Sequence, residues 1–156
     1  MNPNATILLV EDDPNDIFLM KRALKHAEIP NPLKVVEDGQ QAIDYLAGTG
    51  PFTNRSEFPI PNLIFLDLKL PYKNGFEVLE WVRKQPSLDS TLVVVLTSSA
   101  EERDIKETYR LGARSFLVKP PNQAMLSDLM LSLKDYWMKH NEFTAPVQKS
   151  NLDSNK

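Results

Sequence analysis

Asn62 to Gly75, NLIFLDLKLPYKNG, is the stretch that decides the fold of this chain. Leu63, Ile64, Phe65 and Leu66 form a short apolar run that stops at a carboxylate, Asp67. A run of that length, bounded by Pro61 and Pro71, reads as a strand buried on both faces. Such strands belong to parallel sheets, whose ligands lie beyond the carboxyl ends of the strands. Asp67 is then a charge at the lip of a sheet, where a site would be. A blander role would be N-cap of a following helix, but Pro71, Asn74 and Gly75 put loop between Asp67 and the next helical pattern.

Outward from this strand the pattern repeats. Thr6 to Val10 is another buried strand and runs straight into Glu11, Asp12 and Asp13. Pro14 suits the first position of a helix capped by Asp13, since its missing N–H costs nothing there. Ile17, Met20, Leu24 and Ala27 recur at helical spacing. Leu33 to Val36 is a second strand, and Asp38-Gly39 turns it into a helix carrying Ala42, Ile43 and Leu46. Residues 48–61 hold three prolines and two glycines. They form a loop, long for a fold whose connections run roughly 2–6 residues, and Phe52 and Phe58 within it predict that it packs down.

After Asp67, Phe76, Leu79 and Val82 mark a third helix ending before Pro86. Thr91 to Leu96 is a fourth strand ending at Thr97-Ser98-Ser99, and Glu101 to Leu111 a fourth helix stopped by Gly112. Ser115 to Val118 is a fifth strand that runs into Lys119-Pro120-Pro121, and a last helix, Gln123 to His140, is striped by Leu126, Leu129, Leu133 and Trp137. Strands alternating with helices imply right-handed crossovers. The expected fold is α/β: a doubly wound, flavodoxin-like, five-stranded parallel sheet of order 2-1-3-4-5 with five helices.

The 156 residues are enough for one domain, expected over residues 1–141 with no output domain, and residues 142–156 read as a polar, disordered tail. There are no cysteines, which excludes disulfides, thiolate metal sites and cysteine nucleophiles and fits a reducing compartment. No signal-like N-terminus and no apolar run near ~20 residues is present, so a cytoplasmic protein without a membrane partner is expected. The net charge of −3, with Lys and Arg scattered among Asp and Glu, argues against direct nucleic-acid binding.

The residues that follow the strands carry the chemistry. If the first and third strands are neighbours, Glu11, Asp12 and Asp13 meet Asp67 at the point where the strand order reverses. Two carboxylates ~4 Å apart repel by on the order of 4 kcal/mol at an effective dielectric of 20, so the cluster needs a proton, a base or a metal. Oxygen ligands without His or Cys select a hard cation, Mg²⁺ or Mn²⁺. Such a cation, the Lys119 ammonium and the Thr97 hydroxyl together describe a phosphoryl site in which Asp67 attacks. Each residue alone could be a surface charge or a cap; their coincidence at four strand ends is harder to assign to chance.

VEDDP (Val10 to Pro14), FLDLKLPYKNG (Phe65 to Gly75), LTSS (Leu96 to Ser99) and FLVKPP (Phe116 to Pro121) resemble the receiver domain of two-component response regulators. The resemblance covers Thr6 to about His140 and implies that Asp67 is the phosphoacceptor. It further implies that Glu11 and Asp12 surround Mg²⁺, with the Lys69 backbone carbonyl as a further ligand, and that Thr97 and Lys119 bind the phosphoryl group. Phe116 takes the place of the switch aromatic. Asp13 and Ser98 stand next to these shells, Asp13 at a position that is usually a helix cap.

The long loop before the third strand, the LDLKLP run and the polar tail are similar to the small receivers that partner cyanobacterial phytochromes. That implies a sensor histidine kinase of phytochrome type as phosphodonor, and a homodimer. Phe116, Leu117, Trp137 and Met138 would suit its interface, although Trp137 would equally suit the core. A small Mg²⁺-dependent phosphatase would want an acid two residues after Asp67, where Lys69 stands. A binding scaffold with a silent acceptor is the other alternative. Activity is expected to be limited to self-phosphorylation and self-dephosphorylation, with Lys69 and Ser99 facing the water's approach; His26 and His140 read as helix-surface residues.

Overall fold

Short apolar runs become strands here and segments of helical period become helices. The structure, a computed structural model, describes residues 2–98 and 101–137. Strands β1 (Ile7–Val10), β2 (Leu33–Val36), β3 (Leu63–Leu66), β4 (Leu92–Thr97) and β5 (Ser115–Val118) alternate with helices α1 (Pro14–His26), α2 (Gly39–Ala47), α3 (Gly75–Arg83), α4 (Glu102–Arg110) and α5 (Gln123–Asp135). Every pairing is parallel, as the alternation predicts, and the order is β2-β1-β3-β4-β5, the doubly wound order expected for the fold. Met138, His140, Ser99 and residues 142–156, including the expected end of α5, lie outside the described residues.

Successive strand residues point to opposite faces, and both faces are apolar. Leu8, Val10, Ile64, Leu66, Val93 and Val95 pack against α2 and α3, while Ile7, Leu9, Leu63, Phe65, Val94 and Leu96 pack against α1 and α5. Trp137 belongs to the second of these cores: it is buried, with its ring 5.9 Å from that of Phe65. Of its two possible roles it therefore takes the core one and is not free for an interface. Phe116 and Leu117 are half-buried on the edge strand β5.

The helices start where their polar residues dictate. Asp13 accepts hydrogen bonds from the Asn15 and Asp16 N–H groups at 2.8 and 3.4 Å. Asp38 and Asn122 cap α2 and α5 in the same way, and Asn74 and Glu77 form a reciprocal capping box on α3. The β4 strand extends one residue further than its apolar run, taking Thr97 into the sheet.

The loop after α2 does pack down, through a device that its composition does not reveal. Gly48 ends α2 at φ 71°, and residues Gly50–Phe52 make one turn of 3₁₀ helix. Tyr45, Phe52 and Phe58 then form an aromatic triangle with ring centroids 5.1 to 5.8 Å apart. Arg55 reaches back to donate to the carbonyls of Tyr45 (2.7 Å), Leu46 (2.8 Å) and Phe58 (3.1 Å). It thus adds donors to the last carbonyls of α2, where the helix's own N–H groups run out. Burial pushes the Tyr45 hydroxyl up to about 12, so it stays protonated and donates to the Pro59 carbonyl at 2.9 Å.

Replacing Arg55 by Met keeps the bulk and removes all three bonds. We expect Arg55→Met to lower the unfolding free energy by about 2 kcal/mol in urea denaturation. A loss under roughly 0.5 kcal/mol would mean that the aromatic triangle alone holds the loop.

Candidate functional site

Register places the acids. Val10 pairs with Leu66 across β1 and β3, so Glu11 and Asp67 leave the sheet side by side. The Glu11 N–H is held by the Val36 carbonyl and the Asp67 N–H by the Val10 carbonyl, which keeps both residues at the sheet edge. Both are buried, at 3% and 7% exposure. Gly75 makes room beside them: a Cβ there would stand 2.5 Å from the Asp67 carbonyl oxygen.

Lys119 follows β5, and its N–H donates to the Thr97 carbonyl at 2.8 Å. Its ammonium donates to Asp67 Oδ2 at 2.8 Å and Asp16 Oδ2 at 2.9 Å and forms an ion pair with Glu11 Oε2 at 2.7 Å. Burial alone would lower the lysine's affinity for its proton, but the bonds to Asp67, Glu11 and Asp16 outweigh that and hold it above the usual lysine value. Glu11 moves to about 7, chiefly because burial disfavours its charge and further because Asp67 is near; the Lys119 bond opposes this.

Glu11, Asp12 and Asp67 each offer a carboxylate oxygen, all within 4.8 Å of one another, and Asp12 is exposed at the mouth. An all-oxygen set with excess negative charge fits a hard divalent cation. Thr97, at the end of β4, is fully buried, and its hydroxyl has no hydrogen-bond partner among the described residues. Leaving such a group unpaired costs about 1–3 kcal/mol, so it is a donor free for a ligand oxygen.

The other residues singled out from the sequence fall around this centre. The Lys69 side chain is exposed while its N–H donates to Asp67 Oδ1 at 3.3 Å. Asp13 is the α1 cap, and its own N–H donates to Glu11 Oε1 at 3.2 Å. Ser98 is exposed in the bend after β4. Phe116 is half-buried against the core that α2 and α3 cover, and its N–H donates to the Tyr109 hydroxyl at 3.1 Å. His26 is exposed on α1.

Asp16 is the site residue that sequence reasoning missed. It comes from the first turn of α1, where an acid has an ordinary role toward the helix dipole. Only its position, one turn after the cap and on the face turned to the sheet edge, could have hinted at more.

Residues 7–130 match the family model of the response regulator receiver domain. The response regulator Rcp1 of Synechocystis sp. is 38% identical over 137 residues, covering 88% of this chain and 91% of that protein. Among solved structures, the phosphorylated cyanobacterial phytochrome response regulator RcpA superposes with a TM-score of 0.83 at 34% identity, over 91% of this chain and 99% of that one. The Mn²⁺-bound form of Rcp1 superposes with a TM-score of 0.80 at 35% identity, over 90% and 99%. Among the described residues no helix is long and apolar enough to cross a membrane.

Glu11 must lose its proton to ligate a cation, so cation affinity should fall by up to about tenfold per pH unit below its raised value. Mn²⁺ titration calorimetry between about pH 5 and about pH 8 measures this, and a flat profile would exclude Glu11 as a ligand. Because the folded value of about 7 lies above the ordinary 4.5, this group's favourable contribution to stability is complete below 4.5 and lost as pH rises through about 7. Cation-free protein should therefore lose melting temperature across that window, and added Mn²⁺ should reverse the loss.

Proposed function

The chain belongs to the response regulator receiver family, and on that premise we propose that it accepts a phosphoryl group on Asp67 from the phosphohistidine of a sensor histidine kinase. The observation that carries this reading is one buried carboxylate, Asp67, sharing its surroundings with an ammonium, further acids and a buried hydroxyl that has no partner among the described residues. An Asp67 carboxylate oxygen attacks phosphorus, the bond from phosphorus to the kinase imidazole breaks, and the imidazole leaves with the electron pair. Lys119 and the Thr97 hydroxyl bind the phosphoryl oxygens, and hydrolysis of the acyl phosphate by water returns Asp67.

Glu11, Asp12, Asp67 and the Lys69 backbone carbonyl would hold Mg²⁺, or Mn²⁺ in its place, which supplies neutralisation of charge on the transferring group. The chain is thus a phosphoacceptor with self-phosphorylation and self-dephosphorylation and acts on no external substrate. As Thr97 moves toward the phosphoryl group, Phe116 turns inward, repacking β5 beside α4; Ser98 and Asp13 stay peripheral. Similarity to the phytochrome response regulator RcpA supports a phytochrome as the kinase. The same reading takes the protein as cytoplasmic and as a homodimer, in which the exposed Val118 and half-buried Phe116 and Leu117 suit an isologous contact.

Intact mass after incubation with acetyl phosphate, with and without Mg²⁺, tests the proposal. Wild type should gain one phosphoryl group only with Mg²⁺, and Asp67→Asn should gain none while keeping its fold. Labelling retained in Asp67→Asn would move the acceptor elsewhere, and no labelling of wild type would favour a scaffold with a silent site.

A further inference from the structure

Asp16 lies outside the group of acids that could hold a cation, yet its Oδ2 accepts from Lys119 at 2.9 Å. The ammonium donates to Asp67 and Asp16 and is paired with Glu11 at 2.7 Å, so acids surround it on three sides. A cation would draw on the charge of Glu11 and Asp67, whereas Asp16 keeps its charge for the lysine. Its place is set by the helix start, since its own N–H is bonded to the capping carboxylate of Asp13. Granted the receiver reading, a phosphoryl group on Asp67 draws on the Lys119 ammonium, one of whose hydrogen bonds Asp16 holds.

We propose that Asp16 is a positioning residue that competes with a phosphoryl group on Asp67 for Lys119. It seats the ammonium against α1 in the resting protein and yields it when Asp67 is modified. A cavity of about 30 Å³ bordered by Asp16, Leu19, Asp67, Lys119 and Pro120 leaves the lysine stem room for the shift. Asp16 thereby sets how strongly the phosphoryl group must pull before Lys119 reports it to β5.

Beryllium fluoride with Mg²⁺, a stable mimic of the phosphoryl group, tests this on the full chain by fluorine NMR titration. Asp16→Asn should bind it roughly three- to tenfold more tightly than wild type. In a Lys119→Met background the same substitution should change nothing, because the competition runs through the ammonium. Equal or weaker binding by Asp16→Asn would overturn the proposal. So would an undiminished gain in the Lys119→Met background, which would reveal simple removal of a negative charge near an anion. Wild type that takes up no beryllium fluoride would instead overturn the receiver reading on which the proposal stands.

Discussion

The ammonium of Lys119, held by three carboxylates from distant parts of the chain, is the interaction on which the site depends. Glu11, Asp67 and Asp16 reach it from β1, β3 and α1, and the lysine arrives from β5. Without that cation, two buried acids would face each other with their charges unbalanced, at a cost of several kcal/mol that the chain would relieve by protonation. Even with Lys119 in place, burial chiefly, and then the nearness of Asp67, raise the affinity of Glu11 for a proton. A divalent cation would balance the same charge, and the all-oxygen set of Glu11, Asp12 and Asp67 suits one.

Holding four charged groups that close requires a rigid frame, and the sheet provides it. Its central strands are apolar on both faces, so neither β1 nor β3 can slip by one residue without exposing its core side chains or burying its acids. Parallel pairing puts the carboxyl ends of all five strands on one edge, and side-chain caps start α1, α2, α3 and α5 as the chain returns from it. At the far side of β3, the Arg55 clamp and the aromatic triangle stiffen the entry to the strand that carries Asp67. The long loop is therefore part of the frame.

Much of the site was legible in the chain because a parallel α/β fold converts a linear fact into a spatial one. Any polar residue that ends a buried run lies on the same edge, so Glu11, Asp12, Asp67, Thr97 and Lys119 could be grouped without coordinates. Asp13 was legible as a cap because Pro14 follows it, and it performs that role. Asp16 was not, since it ends no strand and reaches Lys119 only through the packing of α1 beside the sheet edge. Arg55 was hidden likewise: a charged residue in a polar loop reads as solvated until its three carbonyl acceptors are located.

By itself the sequence determined the strand and helix alternation, the parallel order and the acids, hydroxyl and lysine at the strand ends, because hydrophobic period and caps are local properties. Tertiary structure alone decided that Trp137 lies in the core against Phe65, that the Thr97 hydroxyl has no partner among the described residues and that Asp16 shares Lys119. These depend on which faces of distant elements meet, and on how many acceptors surround a single ammonium. Such distances are fixed by the packing of α1 and α5 on the sheet and by no property of a single segment.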